Sequence, residues 1–199
     1  MKRLSKMVAA VFALTVAWTT GCADSPVAVP TAVAVTHEQA PASDWLLTGV
    51  TQALPVGSVV NILGKLPQLT DVSVSAVIGV NGGVLSIPQS GITLTVPAGA
   101  VSAPVKFQIT SLKGLSVAYE FEPHGMVFNK PLTIRQDLTK TLYLPGLPVG
   151  GAYFKSRDQL DLLGRKGTID ETIQSLLNPS VRVLEFPVRH FSGYLVSCG

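Results

Sequence analysis

The chain has 199 residues, of which 47% are apolar and 14% are charged. This composition excludes a wholly disordered chain and leaves enough length for one domain with its own core. The formal charge of +3 depends on Lys2, Arg3 and Lys6; without them, 12 basic side chains face 12 acidic ones. No basic patch remains that would neutralise phosphates, so nucleic acid is not an expected partner.

Residues 1–21 are predicted to form a signal peptide. Met1–Lys6 carries three positive charges, Met7–Trp18 is an uncharged and mostly apolar run, and Thr19–Gly21 supplies small residues before Cys22. This is the order of a charged start, an apolar middle and a cleavage site. The apolar run is shorter than the roughly 20 residues that cross a bilayer, so we expect an exported protein.

The segment that ends in Gly21-Cys22 resembles the lipobox of bacterial lipoproteins. The resemblance implies cleavage before Cys22, lipid on its thiol and new amine, and a membrane as partner through that anchor. Asp does not directly follow the cysteine, which by resemblance favours the outer membrane over the inner one. Thr19 departs from the usual Leu, Val or Ile, so ordinary cleavage and a secreted or periplasmic protein remain the alternative. A disulfide between Cys22 and Cys198 is a further alternative in an oxidising compartment.

The next two segments are predicted to precede the folded domain. Residues 22–43 are rich in Ala, Val, Pro and Thr, and their prolines exclude a continuous helix, so we expect a flexible tether. Residues 44–71 have apolar side chains at near-helical spacing from Trp45 to Leu54, interrupted by Pro55, Gly57 and Pro67. A short amphipathic helix or an irregular segment over a sheet edge is predicted there.

Residues 72–199 are predicted to form an all-β domain, because from Val72 onward apolar and polar residues alternate with a period of two. Asn81-Gly82-Gly83 is a strong turn signal, and short apolar runs between Gly and Pro turns continue to the end of the chain. Many short strands at this spacing favour an antiparallel β-sandwich. The predicted strands centre on Val72–Ile78, Val84–Ile87, Ile92–Val96, Val105–Ile109, Val117–Phe121, Leu132–Ile134, Tyr143, Ala152–Phe154, Val181–Val188 and Phe191–Ser197.

One short helix is predicted to interrupt the strands. Thr168-Ile169-Asp170-Glu171 has the pattern of a capping box, and Ile169, Ile173, Leu176 and Leu177 form one apolar stripe at helical spacing. Asn178-Pro179 would end this helix. We therefore expect a connecting helix that packs on the sandwich.

Two segments resemble the ZU-five domain, a β-sandwich found in zonula occludens proteins, netrin receptors, ankyrins and bacterial surface proteins. The first runs from Gly82-Gly83 through the strand that ends in Pro97-Ala98-Gly99-Ala100. The second is the segment Phe121–Leu132, in which Gly125 suits a tight turn, Phe128 can fill the core and Pro131 can start a strand. The resemblance covers residues 75–136 and implies a protein-interaction or structural role without a cofactor.

His190-Phe191-Ser192 is the one chemically suggestive motif. In some animal ZU-five proteins a His-Phe-Ser tripeptide cuts itself between Phe and Ser. The resemblance implies that the Ser192 hydroxyl attacks the Phe191 carbonyl, that His190 takes or relays the proton, and that water hydrolyses the ester. In a regular strand His190 and Ser192 share one face, so a kink, which Gly193 could allow, is required. The alternative is structural, with Phe191 in the core.

Other sites are weakly supported by the sequence. No Gly-x-Ser-x-Gly motif is present, and the histidines His37, His124 and His190 are scattered without Cys-x-x-Cys spacing. Glu120, Glu122 and His124 share one strand parity and could form a metal face, but a solvated sheet surface is the preferred interpretation. Aromatic residues are only 7% of the chain, which disfavours a carbohydrate-binding sandwich. We therefore expect no enzyme activity on a small-molecule substrate, no metal and no cofactor.

Overall fold

A computed structural model describes residues 53–199. The predictions for the signal peptide, Cys22, the tether and the segment around Trp45 lie outside these described residues. Within residues 53–199, no helix has the length and apolar character needed to cross a membrane.

The described residues form an all-β antiparallel sandwich, which confirms the predicted fold class. Two 3₁₀ turns, Leu138–Lys140 and Arg157–Gln159, are the helical elements of this part of the chain. The strands are β1 Ser58–Ile62, β2 Gly64–Gln68, β3 Val72–Ile78, β4 Gly83–Ile87, β5 Ile92–Val96, β6 Val105–Ser111, β7 Gly114–Ser116, β8 Ala118–Glu122, β9 Val127–Asp137, β10 Val149–Phe154, β11 Leu160–Asp161, β12 Lys166–Ile169, β13 Glu171–Ile173, β14 Leu176–Asn178, β15 Val183–His190 and β16 Gly193–Cys198.

Two large sheets form the layers of the sandwich. The nine-stranded sheet has the order β11-β12-β1-β16-β8-β6-β3, with β10 on the other side of β16 and β13 beyond β10. The five-stranded sheet has the order β14-β15-β9-β5-β4, and β2 and β7 form a separate two-stranded sheet. Period-two alternation produces this arrangement, because alternate residues of β5, of β6 and of β9 from Leu132 to Gln136 are buried against the opposite layer.

The main core lies between the two large sheets. Its aromatic centre is Phe191, whose ring lies 5.0 Å from the Phe107 ring, 5.3 Å from that of Phe121 and 4.7 Å from that of Phe128. Phe128 is 7% exposed, so it fills the core as the sequence predicts. Edge-to-face packing of this kind adds to the free energy gained by burying the rings.

A second, smaller core lies on the outer face of the nine-stranded sheet. Its buried members come from β1, β8, β10, β12 and β16 and from Leu112 after β6, and the half-buried Leu160 and Leu162 cover it. Strand β16 contributes Leu195 to this cluster and Tyr194 and Val196 to the main core. All six residues of β16 are therefore buried, and this strand has a hydrophobic cluster on each face.

The predicted helix at residues 168–177 is wrong. Ile169 ends β12 and is buried in the outer core, Ile173 ends β13, and Leu177 lies in β14 and packs into the main core. The helical spacing of these residues arises from three short strands that bury their side chains in different places. Pairing with distant strands overrides the local capping pattern; the Asp170 N–H, for example, donates to the Tyr153 carbonyl at 2.9 Å.

The sequence boundary at residue 72 also differs from the structure. The expectation of a short helix or irregular segment is wrong for residues 58–68, which form β1 and β2. Strand β1 pairs with β12 and β16, so it belongs to the sandwich. Two further residues differ from the prediction. Pro131 does not start a strand but lies inside β9, near a shift in its register with β15. Tyr143 does not lie in a strand but in a loop, and its buried hydroxyl has no hydrogen-bond partner among the described residues.

Candidate functional site at the crossing between the sheets

The predicted His190-Phe191-Ser192 motif lies where the chain crosses from one sheet to the other. Strand β15 ends at His190 in the five-stranded sheet, and β16 begins at Gly193 in the nine-stranded sheet. Phe191 and Ser192 form the connection, with a bend at Ser192. The chain is therefore kinked at the proposed scissile bond, and the one-face rule of a regular strand does not hold there.

Both backbone polar groups of Phe191, its N–H and its carbonyl, are held by hydrogen bonds. The Phe191 N–H donates to the Met126 carbonyl at 2.9 Å, and the Phe191 carbonyl accepts from the Gly125 N–H at 2.9 Å. Gly125 has φ +73°, a conformation that favours glycine, so the turn glycine of the second ZU-five-like segment positions this donor. Sequence reasoning assigned Gly125 to a turn but missed its contact with Phe191, which depends on long-range packing.

Ser192 is buried, with 7% of its surface exposed. Its hydroxyl donates to the Phe154 carbonyl at 3.5 Å, which is long for a hydrogen bond between oxygens. Gly193 has no positive φ, so backbone conformation does not require glycine there. Packing does: a Cβ at this position would lie 2.2 Å from the Phe154 ring.

His190 is half-buried and packs against two tyrosines that sequence reasoning did not connect with it. The Tyr153 ring lies 4.9 Å away, and the Tyr194 hydroxyl donates to the His190 carbonyl at 2.6 Å. The His190 Nδ1 lies 3.3 Å from the same Tyr194 oxygen, and the tautomer of His190 decides which of the two atoms donates. Burial raises the pKa of Tyr194, which keeps its proton in place. Within residues 53–199, no hydrogen bond joins the His190 ring to the Ser192 hydroxyl.

The second set of candidate residues does not form a metal face. Glu120 is held by Arg157, whose Nε donates to its carboxylate at 2.7 Å, and the same guanidinium contacts Asp71 at 2.8 Å. Glu122 and His124 are exposed at the end of β8 and in the following turn. Residues 53–199 contain no group of three or more His, Cys, Asp or Glu that could hold a metal ion.

A buried polar network lies between β2, β6 and the loop before β5. The Lys65 amine donates to the Leu112 carbonyl at 2.6 Å and to the Ser111 hydroxyl at 3.1 Å. The Ser90 hydroxyl donates to the Ser111 oxygen at 2.9 Å. This Lys-Ser-Ser arrangement has the residue types of a nucleophilic site, but all three residues are at most 6% exposed, so a substrate has no access to it.

The surface carries an apolar area that we call the leucine surface, defined by Leu66, Leu142 and Leu144. Their exposed fractions are 73%, 46% and 62%. Thr141 forms an antiparallel bridge with Lys65, and the Leu142 N–H donates to the Gly64 carbonyl at 2.7 Å. Leu66 and Leu142 are therefore diagonal neighbours on one face of this pairing.

The fold of residues 53–199 defines a class: an antiparallel β-sandwich with exposed apolar side chains. The family model of the ZU5 domain matches residues 74–114, which confirms the resemblance over β3 to β6 and the start of β7. The second motif, Phe121–Leu132, lies beyond this match. A search of curated proteins found no relative of this chain.

The match covers two segments that the structure brings into contact. A Cβ at Gly82 would lie 2.2 Å from the Val96 carbonyl oxygen, and the Gly99 N–H donates to the Val80 carbonyl at 2.7 Å. Gly82 has φ +73°. The glycine pair and the Pro-x-Gly-Ala segment of the ZU-five-like motif therefore form one packed corner, in which a larger residue at Gly82 does not fit.

Proposed function

We propose that this chain is an exported protein that is anchored to a bacterial membrane by lipid on Cys22 and whose β-sandwich binds another protein or fills a structural place in the envelope. The order of the leader and the Gly21-Cys22 junction support export and anchoring. The ZU5 match at residues 74–114 supports an interaction module. The outer membrane is the proposed location, with a secreted or periplasmic protein as the alternative.

The leucine surface carries the binding part of this proposal. Leu66, Leu142 and Leu144 are exposed on a folded domain whose buried apolar side chains fill two clusters, and Leu66 and Leu142 are diagonal neighbours across the Lys65–Thr141 bridge. Neighbouring exposed leucines cost free energy in water and are typical of surfaces that another protein covers. The Lys65–Thr141 bridge holds two of them in fixed positions, which lowers the entropic cost of binding.

Site-specific photocrosslinking in cells tests the binding surface. A photoreactive side chain at Leu66 or at Leu142 is expected to give one adduct of the same added mass, and Leu144→Ser is expected to reduce it. The matched control is a photoreactive side chain at Thr133, which is exposed on β9 of the five-stranded sheet. Equal adducts from Thr133, or none from either leucine, would contradict the proposal.

Intact-mass measurement of protein extracted from the membrane tests the anchor. The expected product begins at Cys22 and is heavier by the mass of its acyl chains, and Cys22→Ser is expected to release the protein from the membrane fraction. A mass without lipid that rises by two hydrogens on reduction would instead support the disulfide with Cys198 and a secreted protein.

We propose self-cleavage between Phe191 and Ser192 as the second candidate, because the Gly125 N–H points at the Phe191 carbonyl oxygen from 2.9 Å. When the Ser192 oxygen bonds to the Phe191 carbonyl carbon, this donor would stabilise the oxyanion. The hydroxyl proton would pass to a base and then to the Ser192 nitrogen as the C–N bond breaks, and water would hydrolyse the ester. The His190 ring would have to leave Tyr194 to act as that base.

Denaturing mass spectrometry tests this candidate, because β16 would stay bound to its neighbouring strands after a cut. The expected products are a long fragment that ends at Phe191 and a short fragment, Ser192–Gly199. Ser192→Ala is expected to prevent the cut, whereas Ser197→Ala, another buried serine of the same segment, is expected to leave it unchanged. One intact species in the wild-type protein would eliminate the candidate.

A further inference from the structure

Strand β3 has an open edge on the side opposite β6. Its seven residues pair with β6 in continuous register, from Val72 with Ser111 to Ile78 with Val105. On the other side, no strand among residues 53–199 pairs with β3. Its Ser73, Ser75, Ala76 and Val77 are exposed, so the outward backbone N–H and carbonyl groups are accessible to a further strand.

This edge lacks the features that normally protect an edge strand from pairing. Charged side chains, prolines, bulges and short length are the usual means. Strand β3 has the sequence VSVSAVI, with no charge and no proline, and its register with β6 shows no shift. Val77 of β3 itself is 69% exposed, and Val80, two residues after the strand ends, is 50% exposed.

The strand is also complementary to itself. If two copies meet antiparallel with Ser75 facing Ser75, then Val72 faces Ile78, Ser73 faces Val77 and Val74 faces Ala76. Apolar residues then face apolar residues on the core side, small residues face one another on the outer side, and no like charges are opposed. The nearest strand-end carboxylate, Asp71, is neutralised by Arg157 at 2.8 Å.

We propose that β3 pairs with β3 of a second copy of this chain, so that the two nine-stranded sheets become continuous across a two-fold axis near Ser75. This goes beyond the proposed function, because the paired surface is the open edge of β3 and not the leucine surface, and the partner is a second copy of the chain itself. Two-fold pairing of this kind is closed, so it gives a dimer and not a fibre. An edge of seven residues is a small interface, and an anchor that holds two copies in one membrane would raise their effective concentration.

Charge substitution at the axis tests the pairing. In the full-length protein, Ser75→Asp and Ser75→Lys each place like charges opposite one another at the two-fold axis. Each is expected to raise the dissociation constant of its own dimer at least about tenfold, measured by sedimentation equilibrium. An equimolar mixture of the two variants is expected to form a heterodimer, because the opposed charges then attract.

Thr133→Asp is the matched control, since Thr133 is exposed on a central strand of the other sheet, and it is expected to dimerise like the wild type. Circular dichroism of each variant checks that it is folded.

A wild-type protein that stays monomeric at every concentration would overturn the proposal, as would dimers that Ser75→Asp does not weaken. A monomer in which the outward β3 amides, those that do not donate to β6, are protected from hydrogen exchange would show that the chain's own N-terminal segment pairs with the edge, which also overturns the proposal. None of these outcomes depends on adducts at the leucine surface or on lipid at Cys22.

Discussion

Lys65 is a buried amine whose hydrogen-bond partners are all neutral. It is 6% exposed and donates to the Leu112 carbonyl, the Ser111 hydroxyl and the Gln68 side chain. Loss of water around the ammonium group lowers the pKa of Lys65 from 10.5 to about 8, although the Asp71 charge opposes this shift. The folded protein therefore binds this proton more weakly than the unfolded chain does.

The free energy of unfolding is expected to rise as the pH increases from about 8 toward the ordinary lysine pKa of 10.5. Below pH 8 both states carry the Lys65 proton, whereas above it the folded protein releases the proton first, so the contribution of this group to stability increases with pH. The slope is at most about 1.4 kcal/mol per pH unit. Urea unfolding at several pH values measures it. Lys65→Met is expected to remove this rise in the free energy of unfolding. The control is Lys106→Met, which replaces an exposed lysine on β6 and is expected to retain the rise. An unchanged slope in Lys65→Met would contradict the assignment of the pH dependence to Lys65.

Gly193 is required by the Phe154 ring and not by its backbone angles. Gly193→Ala places a Cβ 2.2 Å from that ring, so we expect it to lower the free energy of unfolding by about 3 kcal/mol. Gly79→Ala is the control, because its Cβ would meet only Pro104 at 3.7 Å, and we expect a loss below about 1 kcal/mol. Urea unfolding followed by circular dichroism measures both, and equal losses would refute the packing argument.

At the residue scale, the sequence predicted the members of the candidate site but not their contacts. Phe128 could be assigned to the core because it follows a turn glycine in a recognisable motif. The Gly125–Phe191 hydrogen bond and the packing of His190 on Tyr153 join residues that are far apart in the chain. No local pattern encodes such pairs, since they depend on how the two sheets are placed.

At the scale of elements, β8 and β9 are joined across the sandwich by a buried pair. The Tyr119 hydroxyl donates to the Gln136 side-chain oxygen at 2.7 Å, and the Gln136 amide donates to the Ser90 carbonyl at 2.9 Å. Gln136 has no exposed surface, and Tyr119 is 2% exposed. Burial raises the pKa of Tyr119, so its hydroxyl remains a donor at alkaline pH.

Tyr119→Phe is expected to leave the buried Gln136 side-chain oxygen without its donor, whereas Gln136→Leu removes the hydrogen bonds of the Gln136 amide and leaves the Tyr119 hydroxyl bonded to the Ser90 carbonyl at 3.0 Å. Tyr119→Phe and Gln136→Leu should each lower the free energy of unfolding by about 2 kcal/mol. The double variant should lose about 1 kcal/mol less than the two single losses together, because they share one hydrogen bond. Ser73→Ala, which removes a half-exposed hydrogen bond of 2.8 Å to Thr110, is the control, with an expected loss near 0.5 kcal/mol. Strict additivity in urea unfolding would contradict the coupling.

The elements that the sequence predicted well are those with one buried and one solvated face. Strand β5 alternates buried Ile92, Leu94 and Val96 with threonines, and that contrast is visible in the sequence. Strands β12 to β14 are three or four residues long and bury their apolar residues in two different clusters. Over such short strands a period of two cannot be distinguished from a helical period, so the false helix followed.

At the scale of the whole molecule, β16 couples the two hydrophobic clusters. Leu195 belongs to the outer core and Val196 to the main core, and neither is more than 1% exposed. We expect Leu195→Ala and Val196→Ala each to lower the free energy of unfolding by about 2 to 4 kcal/mol while retaining a single transition. Far-UV circular dichroism and tyrosine fluorescence during urea unfolding should coincide in both variants. Two separate transitions in Leu195→Ala would show that the outer core unfolds by itself.

The position of β16 also determines when the sandwich is able to assemble. Its neighbours β1, β8 and β10 all precede it in the chain, and without it they are separated by a gap in the middle of the sheet. A nascent polypeptide that still lacks these six residues cannot form the pairs that join β1 and β8 to β10, so we expect the core to close only after β16 has been synthesised. Under the proposed export, we expect such late closure to keep the chain unfolded until its far end has been made.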